Sequence, residues 1–78
     1  MNLEIVKPDE NLFSGDHVKS VHLPGSDGSF ELLDNHAPLI ATLKEGSIKV
    51  TTASNTETFE VKGGVVEVNN NKVIVLAE

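Results

Sequence analysis

The chain has no cysteine, so neither a disulfide framework nor a thiolate zinc site can stabilise it. It has no arginine either, which removes the bidentate fork that grips phosphate and reads guanine. Twelve acidic residues against six lysines leave a formal charge of −6, a poor match to a nucleic acid. Tryptophan and tyrosine are missing, and Phe13, Phe30 and Phe59 are the only aromatic rings on which a base could stack. The longest uncharged and mostly apolar run, Ala37 to Leu43, falls far short of the roughly 20 residues that span a bilayer. Met1-Asn2-Leu3-Glu4 carries no basic segment leading into an apolar one, so no signal peptide is expected. With 78 residues there is room for one domain, and a chain of that size buries only about 60% of its unfolded surface.

What is present is β-branched and alternating. Leu3 and Ile5 alternate with Asn2 and Glu4, Ile48 and Val50 with Ser47 and Lys49, and Phe59 and Val61 with Thr58, Glu60 and Lys62. That period of two predicts strands with one buried face, and no segment has a helical period. Turn residues recur at short intervals: Lys7-Pro8-Asp9, Ser14-Gly15-Asp16, Pro24 to Gly28, Glu45-Gly46, Ser54-Asn55, Gly63-Gly64 and Asn69-Asn70-Asn71. Their spacing predicts antiparallel hairpins and an all-β sandwich or barrel. Val18 is out of parity with Val21 and Leu23, which predicts a bulge or a late strand start after Gly15. Val73-Ile74-Val75-Leu76 is apolar on both faces, so it is covered on both sides or meets another subunit.

Little in the residue chemistry points to catalysis. His17 and His22 would face opposite ways on an extended strand, and His36 belongs to a separate loop, so no metal site is expected. The serines lie in turns without a neighbouring base. Gly25-Ser26-Asp27-Gly28 and Gly63-Gly64 lack the following helix and Lys-Ser/Thr pair of a phosphate loop, and no cofactor is expected. From the residues alone the chain is a noncatalytic β module.

One set of motifs is more specific. Leu12-Phe13-Ser14-Gly15, Leu23-Pro24-Gly25-Ser26-Asp27-Gly28, Asn35-His36-Ala37-Pro38-Leu39, Leu43-Lys44-Glu45-Gly46 and Gly63-Gly64-Val65-Val66-Glu67-Val68 occur in an order and spacing that closely resemble the N-terminal β domain of the epsilon subunits of rotary F-type ATP synthases. The likeness extends over essentially the whole chain. It implies a flattened antiparallel sandwich of about ten short strands, without catalytic residues, placed at the foot of the central stalk. There it would bind the gamma subunit and the c-ring and make the two rotate together, on the cytoplasmic face of the bacterial inner membrane. Carried over by position, the resemblance implies ring contacts at Asp27, Gly28, Ser29 and His36. The family often has an acidic residue where Ser29 stands, so a charge contact would be missing here or moved to Asp27 or Glu31. For gamma, the doubly apolar strand suggests Val73 and Val75.

Many members of that family continue into a pair of C-terminal helices that restrain ATP hydrolysis. The expectation is a single domain, residues 1–78, without them; a natural short form and the first part of a longer chain fit the sequence equally. The alternative from another class is a biotinyl or lipoyl carrier domain. It would need a lysine at a hairpin tip flanked by Asp or Met, a setting that neither Lys44 nor Lys72 has.

Overall fold

In the strand Asn2–Lys7 (β1) the side chains of Leu3 and Ile5 are fully buried while Asn2 is exposed, the alternation that the sequence shows. The computed structural model describes residues 1–78, and eight more strands follow: Glu10–Gly15 (β2), Val18–Leu23 (β3), Phe30–Leu33 (β4), Leu39–Leu43 (β5), Gly46–Thr52 (β6), Thr56–Val61 (β7), Gly64–Asn69 (β8) and Lys72–Ala77 (β9). These nine strands form two sheets, one ordered β2-β1-β9-β8-β5 and the other β4-β3-β6-β7. The sandwich measures 26 × 24 × 19 Å.

Between the sheets lies one apolar core of 16 residues, supplied by the inward positions of both layers. Leu3, Ile5, Val66, Val68, Val73 and Val75 of the larger sheet oppose Val21, Leu23, Leu32, Ile48 and Val50 of the smaller one. No charged or polar residue is buried, and no buried side-chain polar atom lacks a partner. For a chain of this size that is the favourable arrangement, because each unpaired buried polar group would cost about 1 to 3 kcal/mol.

The turn residues serve two purposes. β1–β2, β3–β4, β6–β7 and β8–β9 are hairpins, whereas β2–β3, β4–β5, β5–β6 and β7–β8 carry the chain from one sheet to the other. Glu45-Gly46 and Gly63 therefore lie at crossovers, not hairpin tips. The predicted irregularity after Gly15 is present as a register shift between Val18 and Ser20, where β3 pairs with β6. It lets Val18 and Val21 both point inward despite their odd spacing. A second shift, between Ile5 and Val6 against β2, puts the adjacent Leu12 and Phe13 both in half-buried positions.

The two open sides of the sandwich are closed differently. On one, Phe13 of β2 meets Phe59 of β7 edge to face, with centroids 5.9 Å apart at 64°. On the other, the β4–β5 crossover and a bridge between Gly25 and Leu43 join the edge strands β4 and β5.

Candidate functional site

The Pro24–Ser29 turn projects from the end of the β3–β4 hairpin, where Leu23 pairs with Phe30. Its base is pinned to the opposite sheet: the Ser26 amide donates to the Thr42 carbonyl at 2.9 Å, the Thr42 hydroxyl to the Ser26 hydroxyl at 3.0 Å, and the Lys44 amide to the Pro24 carbonyl at 2.9 Å. Gly25 is required by close packing, since a Cβ there would stand 2.5 Å from the Gly28 carbonyl oxygen and 2.7 Å from the Phe30 ring. Gly28 is required by conformation: its φ is +128°, yet nothing lies within 4 Å of an added Cβ. Asp27, Gly28 and Ser29 are all exposed, so a rigid base carries an open polar tip.

His36 is elsewhere. It lies in the crossover between β4 and β5, beyond Leu33, whereas the Asp27 turn precedes Phe30. The four residues of β4 run between them, about 13 Å of extended chain. The structure therefore brings Asp27, Gly28 and Ser29 together but not His36, so the four positions expected to meet the ring lie in two loops at opposite ends of the β4–β5 edge. His36 is exposed, and its Nδ1 lies 2.7 Å from the Ala37 carbonyl oxygen. A carbonyl only accepts, so the proton is on Nδ1 and Nε2 is left for a partner. The other histidines are apart from it: His17 precedes β3 beside Asp16, at 3.4 Å, and His22 faces outward on β3 between Glu31 and Lys49.

The strand singled out for gamma needs a correction of parity. Val73 and Val75 point into the core and are 1% and 0% exposed, packed beneath the smaller sheet, so neither can touch another subunit. The outward residues of β9 are Ile74 and Leu76. Register places Leu76 between Val6 and Val65, and Ile74 between Glu4 and Glu67, with Ile40 next beyond Glu67. Val6, Ile40, Val65, Ile74 and Leu76 thus share the outer face of the larger sheet, with Ile40 at 72% and Leu76 at 58% exposure. The outer face of the smaller sheet carries Ser20, His22, Glu31, Lys49 and Thr51, with Leu33 beside Ser20 as its one exposed large apolar residue. The larger sheet therefore has the more apolar outer face, a group of five apolar side chains interrupted by Glu4 and Glu67, against a single exposed Leu33 on the smaller sheet.

The comparisons with known proteins decide the family. Residues 1–78 match the profile of the ATP synthase delta/epsilon chain β-sandwich domain along the whole chain.

The chain belongs to that family.

Among its epsilon-chain relatives, the ATP synthase epsilon chain of Chlorobium limicola is 44% identical over 77 residues, covering 97% of this chain and 86% of the relative. That of Caulobacter vibrioides is 38% identical over 78 residues, covering 100% and 90%. That of Leptospira borgpetersenii is 37% identical over 78 residues, but the match takes in only 61% of its length. These relatives are noncatalytic subunits of an enzyme complex. The fold is also that of a chain in the central stalk and c-ring structure of the Tetrahymena thermophila mitochondrial ATP synthase, with a TM-score of 0.86 at 16% identity over 97% of this chain and 61% of that one. A chain in the Euglena gracilis mitochondrial ATP synthase structure gives 0.88 at 19% identity, over 96% and 48%. The epsilon-type sandwich of this chain thus comes with one apolar outer face and two exposed loops at the ends of one edge.

Proposed function

We propose that this chain is a central-stalk subunit of a proton-translocating F-type ATP synthase, joining the c-ring to gamma so that ring rotation reaches the catalytic sites as torque. The observation that carries this reading is the apolar outer face of the larger sheet, on a sandwich whose core is already complete without it. Exposed Ile40, Val65 and Leu76 with half-buried Val6 and Ile74 have no covering layer within the chain. Gamma is assigned to this face. The ring is assigned to the β4–β5 edge, through Asp27, Gly28 and Ser29 at one end and His36 at the other. A coupling element must hold two partners at once without deforming. Here the two surfaces are different sides of a body braced by Phe13–Phe59 and by the Gly25–Leu43 bridge.

In the mechanism that follows, the chain does no chemistry. Torque enters at the edge loops as a lateral force, passes through the two hydrogen-bonded sheets, and leaves through the apolar face. The 39 backbone hydrogen bonds within the strands resist shear of one layer against itself. No helix of the chain is long and apolar enough to cross a membrane. In this reading membrane association is through the ring, at the cytoplasmic face of a bacterial inner membrane.

Sedimentation of the purified chain with gamma and, separately, with detergent-solubilised c-ring tests the reading. Binding to gamma with a raised melting temperature supports it; migration as a free monomer in both mixtures overturns it.

A further inference from the structure

The β4–β5 crossover is held in an unusual way. None of the 8 backbone hydrogen bonds outside the strands involves residues 34–38. Two ties from other parts of the chain reach it. The α-ammonium of Met1 donates to Asp34 Oδ1 at 2.5 Å, at the start of the loop. The Asn35 amide donates to Asn71 Oδ1 at 2.8 Å, one residue before His36. Asn71 is itself fixed: its carbonyl accepts from the Asn2 amide at 3.1 Å, and its φ of 59° is a left-handed conformation that asparagine tolerates well. Asn35, with φ 62°, bends the chain sharply at the point where Asn71 grips it.

We propose that Asn71 is a positioning residue for partner docking, its side-chain oxygen fixing the Asn35 bend and thereby the direction in which His36 presents Nε2. This rests on the assignment of His36 to the ring. The connection runs from β1 through Asn2 and Asn71 to Asn35, so a loop with no backbone ties of its own is referenced to the rigid larger sheet. A partner that meets His36 then finds it already oriented, and the ordering entropy of a free loop is not charged to binding.

The test uses the complex of this chain with gamma and detergent-solubilised c-ring, and compares Asn71→Gly, Asn71→Asp and His36→Ala. Glycine keeps the left-handed backbone and removes the acceptor, whereas aspartate keeps an oxygen for the Asn35 amide. Asn71→Gly should weaken attachment to the ring about five- to tenfold, the equivalent of one hydrogen bond, with gamma affinity unchanged. Exchange of the Asn35 amide should quicken in Asn71→Gly and return to the parent rate in Asn71→Asp, along with ring affinity. His36→Ala should cost less in the Asn71→Gly background than in the parent, because the two act through one contact. If His36→Ala weakens the ring complex but Asn71→Gly does not, the positioning role is wrong while the ring assignment stands. If Asn71→Asp is as weak as Asn71→Gly despite a protected Asn35 amide, the oxygen is not the cause and the proposal is again overturned. If His36→Ala has no effect, the ring assignment of this loop fails and takes the proposal with it.

Discussion

Val75 and Leu76 are consecutive on β9 and face opposite surroundings: Val75 is 0% exposed in the core and Leu76 is 58% exposed on the outer face of the larger sheet. The same substitution at the two positions should therefore give opposite phenotypes. Val75→Lys buries an unpaired charge and should unfold the domain, since that penalty of several kcal/mol rivals the total stability of a chain this small. Leu76→Lys should shift unfolding by no more than about 0.5 kcal/mol while lowering gamma affinity by at least tenfold, because an apolar contact worth about 1.5 to 3 kcal/mol is replaced by a charge. Urea unfolding and titration with gamma read the two effects separately. Normal gamma binding by Leu76→Lys would remove gamma from this face.

The two kinds of glycine constraint should be separable in the same way. At Gly28 an added Cβ meets nothing, so Gly28→Ala bears only the conformational cost of φ +128°, about 1 to 3 kcal/mol. At Gly64 the φ is +150° and the Cβ would also lie 2.3 Å from the Leu76 carbonyl oxygen, a backbone atom that cannot swing aside. Gly64→Ala should therefore be the more destabilising of the two in urea titration. Equal midpoints would mean that the β8–β9 backbone yields more readily than its ladder of pairs suggests.

Ser29→Lys addresses the other proposed surface. Ser29 is exposed at the end of a turn whose base is fixed by Ser26, Thr42 and Lys44, so melting and gamma binding should match the parent. Attachment to the ring and proton-driven ATP synthesis should fall, because a partly buried interface makes a misplaced charge costly while a free surface does not. Parental synthesis rates from the mutant enzyme would withdraw Asp27 and Ser29 from the ring contact.

The period-two alternation at Ile5, Val50 and Val61 is enough to read the strands, because a sheet with one buried face imposes it directly. The slip at Val18 likewise reveals its bulge. What sequence does not carry is which turn closes a hairpin and which crosses between sheets, since Gly63-Gly64 and Asn69-Asn70-Asn71 are both runs of turn residues and only the structure shows that the first crosses and the second closes β8 onto β9. Leu12 and Phe13 hide β2 for a related reason: the register shift opposite Ile5 and Val6 destroys the alternation that would announce it. Parity fails on β9 because Val73, Ile74, Val75 and Leu76 are equally apolar, and only pairing with Leu3 and Ile5 on β1 decides that the valines face inward. The separation of His36 from Asp27, by contrast, was implicit in the chain, since any strand placed between two loops puts them at opposite ends. Asn71 gave no signal at all: a turn asparagine looks the same whether or not its side chain reaches a distant loop.

The most direct test of the coupling role is ATP synthesis driven by an imposed proton gradient in vesicles carrying the cognate synthase stripped of this chain. Adding the purified chain should restore synthesis saturably, at one copy per enzyme, and Leu76→Lys should fail to do so while remaining folded. Synthesis that is equally fast with and without the chain would contradict the account.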